Sequence, residues 1–219
     1  VATKTYVDDV FSTFLYKGNG STQTLNTAVD LTEGGLVWTK VRTSSSWADH
    51  ILVDSERGNN RLMSNSTGAE VGISSFNFSS TGYTVPNTNR VNLTDADFAS
   101  WTFRKAKGFF DICTWTRGSS VFSNRRISHN LGSVPGLILI KRTNSSDPWY
   151  VYHSSLSGSQ SNEARNYYLK LNESEAATYY TSGGLSSWFG VAPPSSTDFG
   201  INESQFGWSN GDSFIAYVF

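Results

Sequence analysis

The chain has 219 residues, a formal net charge of -1 and only 16% charged residues, a balance that writes no basic patch and sets nucleic acid aside as a partner. No apolar run approaches the roughly 20 residues of a membrane helix, so no membrane insertion is expected. Cys113 is the single cysteine and the 3 histidines lack ligand spacing, which excludes an intrachain disulfide and gives no metal motif.

The chain opens without a signal segment or an initiator Met, and is expected to be a fragment or a processed form. Its first stretch, TKTYVDDVFSTF, puts Tyr6, Val7, Val10, Phe11 and Phe14 at helical spacing. Thr5 is the expected cap, with Asp8 in a capping-box position. A helix this short is unstable alone. Its apolar face must pack on the rest of the chain or on the same helix of sister chains. The second choice makes residues 1–11 an oligomerisation segment, carried by Tyr6, Val7, Val10 and Phe11, in a homo-oligomer with a trimer preferred.

From residue 12 onward the pattern is that of strands. Candidates are Thr13–Lys17, Thr22–Leu25, Leu36–Arg42, Trp47–Asp54, Arg61–Ser64, Ile73–Phe78, Tyr83–Val85 and Phe98–Lys105, separated by turns such as KGNGS, SERGNN and NSTG. Phe98–Lys105 alternates faces, with Trp101 and Phe103 read as core.

The chain then repeats itself. GLVWTK at Gly35 returns as GLILIK at Gly136. Trp47 answers Trp149 after one inserted residue. Leu62 and Asn65 answer Leu169 and Asn172, and FASWTF answers FIAYVF. Matched blocks in one order predict a duplication, with β-sandwich repeats over 12–106 and 108–219. The expected fold is all-β: two tandem antiparallel β-sandwich domains, jelly-roll-like, with the short N-terminal helix.

The second copy is longer, and the extra residues fall in Thr181 to Asp212. This stretch carries Trp188, Phe189, Phe206 and Trp208 among Gly, Ser, Asn and Pro. Aromatics in a turn-rich stretch either cap the sandwich or stand displayed on it. The displayed reading makes these four the candidate ligand-binding residues.

Several segments resemble a known family. ATKTYVDD is similar to a short element that precedes the heads of phage fibre proteins. ASWTFRKAKGFFDICTWT, RRISHNLGSVPGLILIKR and WYVYHSSL resemble a β-rich domain of tailed phages, common in marine ones. The resemblance implies a virion structural protein on the extracellular particle surface, in contact with other virion proteins. A tail-fibre or appendage head would meet host-surface glycan by non-covalent binding. A capsid or neck decoration with a purely architectural role is the other reading. The family offers no catalytic motif to carry over.

The residues themselves point the same way. No G-x-S-x-G, P-loop or H-E-x-x-H sequence occurs. Asp49, Asp54 and Glu56 cluster beside His50, but they read as a solvated strand end and are not repeated in the second copy. Arg125, Arg126 and His129 form the other polar group, weighed as an anion grip against a hairpin end bonded to local backbone. The expectation is a non-enzyme without cofactor. The N-x-S/T triplets at Asn19, Asn65, Asn77, Asn92, Asn144, Asn172 and Asn202 read as turns in a phage protein.

Overall fold

A computed structural model describes residues 5–43, 46, 47, 49–119, 125–159, 161, 163–182, 186–203 and 207–219. The protein is all-β with antiparallel sheets. The chain divides into two compact units, Val1–Ala106 and Lys107–Phe219.

The first unit begins with α1 (Val7–Val10), a single turn. The Tyr6 N–H donates to Asp9 Oδ2 (2.7 Å), so Tyr6 and Asp9 close the turn where Thr5 and Asp8 were expected. The predicted helix stops early for a physical reason. Phe11 starts β1 (Phe11–Lys17), which pairs along its whole length with β9 (Asp97–Arg104). Phe11 therefore lies opposite Phe103, with ring centroids 5.0 Å apart, instead of on a helix face. Val10 is buried, while Tyr6 and Val7 are exposed.

Between β1 and β9 the chain lays down β2 (Gln23–Asn26), β3 (Gly35–Val41), β4 (His50–Asp54), β5 (Asn60–Met63), β6 (Val71–Gly72), β7 (Asn77–Ser79), β8 (Gly82–Val85) and α2 (Asn89–Asn92). One sheet runs β1-β9-β3-β4-β5-β6 and a smaller one β2-β8-β7. Val37, Val41, Ile51, Val53 and Phe98 from the large sheet and Leu25, Tyr83 and Val85 from the small one form a single apolar core. The alternation of β9 is as expected, but the other face turns inward. Phe98, Ser100 and Thr102 are buried, whereas Trp101 and Phe103 are only half-buried.

The second unit comprises β10 (Asp111–Thr116), β11 (Arg125–Ser128), β12 (Leu137–Arg142), β13 (Tyr150–His153), β14 (Tyr167–Lys170), β15 (Thr178–Tyr179), β16 (Thr181–Ser182), β17 (Ser186–Ser187), β18 (Asp198–Ile201) and β19 (Ser213–Val218). Its large sheet runs β10-β19-β12-β13-β14-β15. This is the first unit's strand order, term by term. β11 pairs with β18 as β2 pairs with β8.

Register makes the correspondence residue-specific. Tyr16 stacks on Phe98 at 5.0 Å and Trp115 on Phe214 at 5.2 Å, each pair bridging a first and a last strand. Asn65 Oδ1 accepts the His50 N–H, and Asn172 Oδ1 accepts the Trp149 N–H. The partner of Trp149 is thus His50, and the alignment of Trp47 with Trp149 is corrected. Thr39 faces Ile51 and Ile140 faces Tyr150, so each preceding residue, His50 or Trp149, holds the same place. Trp149 is fully buried, whereas Trp47 lies in the turn ahead of β4 and is 43% exposed.

Candidate functional site

A cavity with charged walls lies in the first unit and encloses about 330 Å³. Three segments build it: the β3–β4 turn with Trp47, the β5–β6 edge with Arg61 and Val71, and the run from Pro86 to Arg90 that enters α2. That volume falls at the lower end of small-molecule sites.

Trp47 holds a left-handed backbone, φ +60°. For a bulky side chain this costs on the order of 1–2 kcal/mol, and such strain gathers at functional positions. The Arg90 guanidinium carbon sits 4.5 Å from the centre of the Trp47 ring, a cation–π contact. Arg90 also pairs with Asp49 Oδ2, while Asp49 Oδ1 accepts from Asn65 Nδ2 at 3.2 Å. Asn65 in turn holds the start of β4 through His50. Asp49, Asn65 and Arg90 thereby fix the turn that presents Trp47.

Arg61 is placed by the ladder, opposite Val53 on one side and Val71 on the other. Its Nη1 donates to the Gly72 carbonyl at 2.9 Å, and no carboxylate among the described residues comes within ion-pair distance. Partial burial lowers the Arg61 pKa; Arg90 adds to the effect and Asp49 opposes it. His50 is lowered too, first by burial and then by Lys40, with Asp49 opposing, which favours its neutral form. Around the rim, Ser74, Asn87 and Asn89 are exposed and make no side-chain hydrogen bond among the described residues. The cavity is lined by the exposed Trp47 indole, two guanidinium groups and unspent amides, and among the described residues no carboxylate lines it. A second hollow of about 440 Å³, beside Phe76 and Asn59, has no charged residue in its wall.

The aromatic residues expected to bind ligand lie elsewhere. Trp188 and Phe189 are fully buried and Trp208 is 5% exposed, all within the core of the second unit. Trp188 meets Tyr150 edge-on at 4.4 Å and Tyr168 at 5.3 Å, Phe189 meets Tyr152 at 5.0 Å, and Trp208 packs on Phe214 at 4.3 Å. The displayed reading of these three residues is corrected: the long stretch folds back and supplies core. Backbone bonds hold it there, from the Asn202 N–H to the Trp188 carbonyl and from the Phe189 N–H to the Arg165 carbonyl. Phe206 lies outside the described residues. Sequence reasoning missed Trp47 by extending a strand through it; the Ser-rich turn SSSWAD was the available signal.

The polar groups weighed in the sequence are committed to the fold. Asp54 is fully buried, so the solvated strand end is corrected. Its carboxylate accepts the Glu56 and Arg57 N–H groups, both at 3.0 Å, and pairs with Arg57 Nη2 at 2.5 Å. Arg125 pairs with Glu203 and Arg126 with Asp198. His129 is buried, stacks on Phe199 and accepts the Leu131 N–H through Nδ1. Asn92 and Asn202 of the N-x-S/T triplets are fully buried. Among the described residues, no three His, Cys, Asp or Glu side chains gather as metal ligands, and no helix is long and apolar enough to cross a membrane.

Residues 7–219 match the model of the family described as Domain of unknown function (DUF7483), and the chain belongs to that family. No curated protein and no solved structure matches it.

Proposed function

We propose that this DUF7483 chain is a non-catalytic virion appendage domain that attaches a phage to host-surface glycan, and that the Trp47 cavity is its contact. The observation that carries this reading is the wall of the cavity. A sugar ring needs a flat apolar face plus hydrogen-bonding groups for its hydroxyls. Trp47 supplies the first, and Asn87, Asn89 and Ser74 the second. Hydrolysis of a glycosidic bond needs two carboxylates flanking it, and the absence of acids from this wall supports binding without turnover. The resemblance of the long β-rich segments to tailed-phage domains supports the virion setting. Many copies per particle would multiply a weak contact into firm attachment. Of the four apolar residues of the N-terminal segment, Tyr6 and Val7 are exposed, and in this reading they meet sister chains in a trimer.

The test is a microarray of bacterial surface glycans probed with the whole chain and with Trp47→Ala. Retention by the natural chain, lost in the variant, is expected. If no glycan is retained, attachment fails and the architectural reading takes its place. Retention equal in both would remove this cavity from the function.

A further inference from the structure

We infer that the Trp47 cavity selects carboxylated sugars, such as uronic or sialic acids, over neutral ones, with Arg61 as the residue that reads the acid. This deepens the glycan reading above and rests on it.

Charge is the first argument. The cavity wall holds two guanidinium groups. Arg90 is neutralised by Asp49 and lies against Trp47. Arg61 has a single hydrogen bond, to a backbone carbonyl, and lacks a carboxylate partner among the described residues. The residues outside that description near this turn, Ser44, Ser45 and Ala48, carry no charge. Burial and Lys40 favour the neutral form of His50. One net positive charge is left at a half-buried wall, where a buried or half-buried cation ordinarily acquires a partner. A guanidinium fork suits a planar carboxylate, which it can grip through two parallel N–H groups.

The internal comparison is the second argument. Register equates Arg61 with Tyr168 of the second unit, because Leu62 faces Leu52 as Leu169 faces Val151. Tyr168 is partly buried and packed edge-on against Trp188, on the edge of an apolar core. The fold closes this corner with aromatic rings in one unit, so a charged group there is no requirement of the architecture. In the other unit the same corner is open, lined by Arg61 and capped by an exposed Trp47.

Ring and acid are then read by different residues. Trp47 stacks on any hexose face, and Arg61 discriminates the carboxylate. A bare anion lacks the ring and gains only half of the contact.

The experiment is calorimetric titration of the whole chain with sodium glucuronate and N-acetylneuraminate, with glucose and N-acetylglucosamine, and with acetate and inorganic phosphate. Acidic sugars are expected to bind about tenfold tighter than neutral ones, and the simple anions weaker than either acid sugar. Arg61→Gln should bring acid and neutral sugars within about twofold of each other, and Arg61→Lys should restore part of the gap. Trp47→Ala should weaken both sugar classes alike. Neutral sugars binding as well as acidic ones would overturn the selectivity and leave the glycan reading standing. No sugar binding at all would overturn both. Simple anions matching the acid sugars would make the site an anion site and overturn the inference. Should Arg61→Gln fail to fold, the acid-to-neutral ratio of the natural chain decides the question alone.

Discussion

Asp54 offers a sharp test of the fold, because the sequence places it at a wet strand end and the structure places it at the bottom of a turn. Its carboxylate is fully buried and accepts two backbone N–H groups at 3.0 Å, and the Arg57 side chain at 2.7 Å through Nε and 2.5 Å through Nη2. Arg57 keeps a further contact with Glu70 at 3.5 Å and is itself only 5% exposed. Asp54→Ala takes the nearest carboxylate from that cation and leaves two backbone donors without their acceptor. Breaking one side of a buried pair costs about 3–5 kcal/mol, and the Glu70 contact argues for the lower end. A unit of this size is stable by only about 5–15 kcal/mol, so the loss is a large fraction. At ~4 °C per kcal/mol it lowers the melting midpoint of the first unit by at least about 12 °C.

Calorimetry on the whole chain reads the shift, and hydrogen exchange of residues 50–63 assigns it to β4 and β5. Arg57→Met completes a double-mutant cycle: with the cation gone, removal of Asp54 costs less, and the coupling should reach about 2 kcal/mol or more. A change below about 1 kcal/mol for Asp54→Ala, with coupling near zero, is what a solvated ion pair gives. That result would refute the buried arrangement.

Four further outcomes follow from the structure. Trp188→Ala should cost the second unit about 3–5 kcal/mol in urea unfolding, whereas Trp47→Gly, which relieves a left-handed backbone, should change stability by less than about 1 kcal/mol while abolishing sugar retention. Gly82→Ala should destabilise the first unit by about 1–3 kcal/mol in a thermal melt, since a Cβ there would stand 2.2 Å from the Leu25 carbonyl oxygen at φ +148°. Burial holds the His129 pKa below its ordinary value, against the Ser195 carbonyl and the carboxylates of Asp111 and Asp198. Its contribution is therefore complete above about pH 6.5 and is lost as pH falls from there toward the depressed folded value, because the unfolded chain takes the proton first. The urea midpoint of the natural chain should drop more steeply below pH 6.5 than that of His129→Gln.

Much of the strand pattern was readable because period-two alternation and Gly/Asn/Ser turns are local signals. β3, β4, β8 and β9 fall within a few residues of their expected bounds. What escaped were decisions made by distant partners. The N-terminal helix ends at Val10 because β9 offers Phe11 a full ladder, and no helical spacing can weigh that offer. The inward face of β9 was misassigned because both faces carry aromatics, and the small sheet chooses between them. Trp188 and Trp208 looked displayed because their neighbours are turn formers; tertiary contacts with Tyr150 and Phe214 bury them. Trp47 was drawn into a strand by its resemblance to Trp149, and register moved it by three residues into a turn.

The shared strand order of the two large sheets makes one unit a control for the other. Backbone bonds at the start of the last strand match pair by pair. The Asp95 N–H donates to the Gly18 carbonyl as that of Gly211 does to Arg117, and the Ala96 N–H to Leu93 as that of Asp212 does to Ser209. This puts Asn92 and Trp208 at one position. Asn92 is a buried amide that bonds Asn19, Gln23 and Ser21, so its surroundings stay polar and the neighbouring run from Pro86 to Arg90 remains a cavity wall. Trp208 turns its indole N–H to Asp147 at 2.7 Å and fills the corresponding region with its ring. One substitution of amide for indole, joined with Arg61 for Tyr168, separates an open polar site from a closed aromatic core. An open Trp47 site in the first unit therefore goes with what occupies these two positions and with the shorter stretch there, which brings no counterpart of Trp188, while the large sheets keep one strand order.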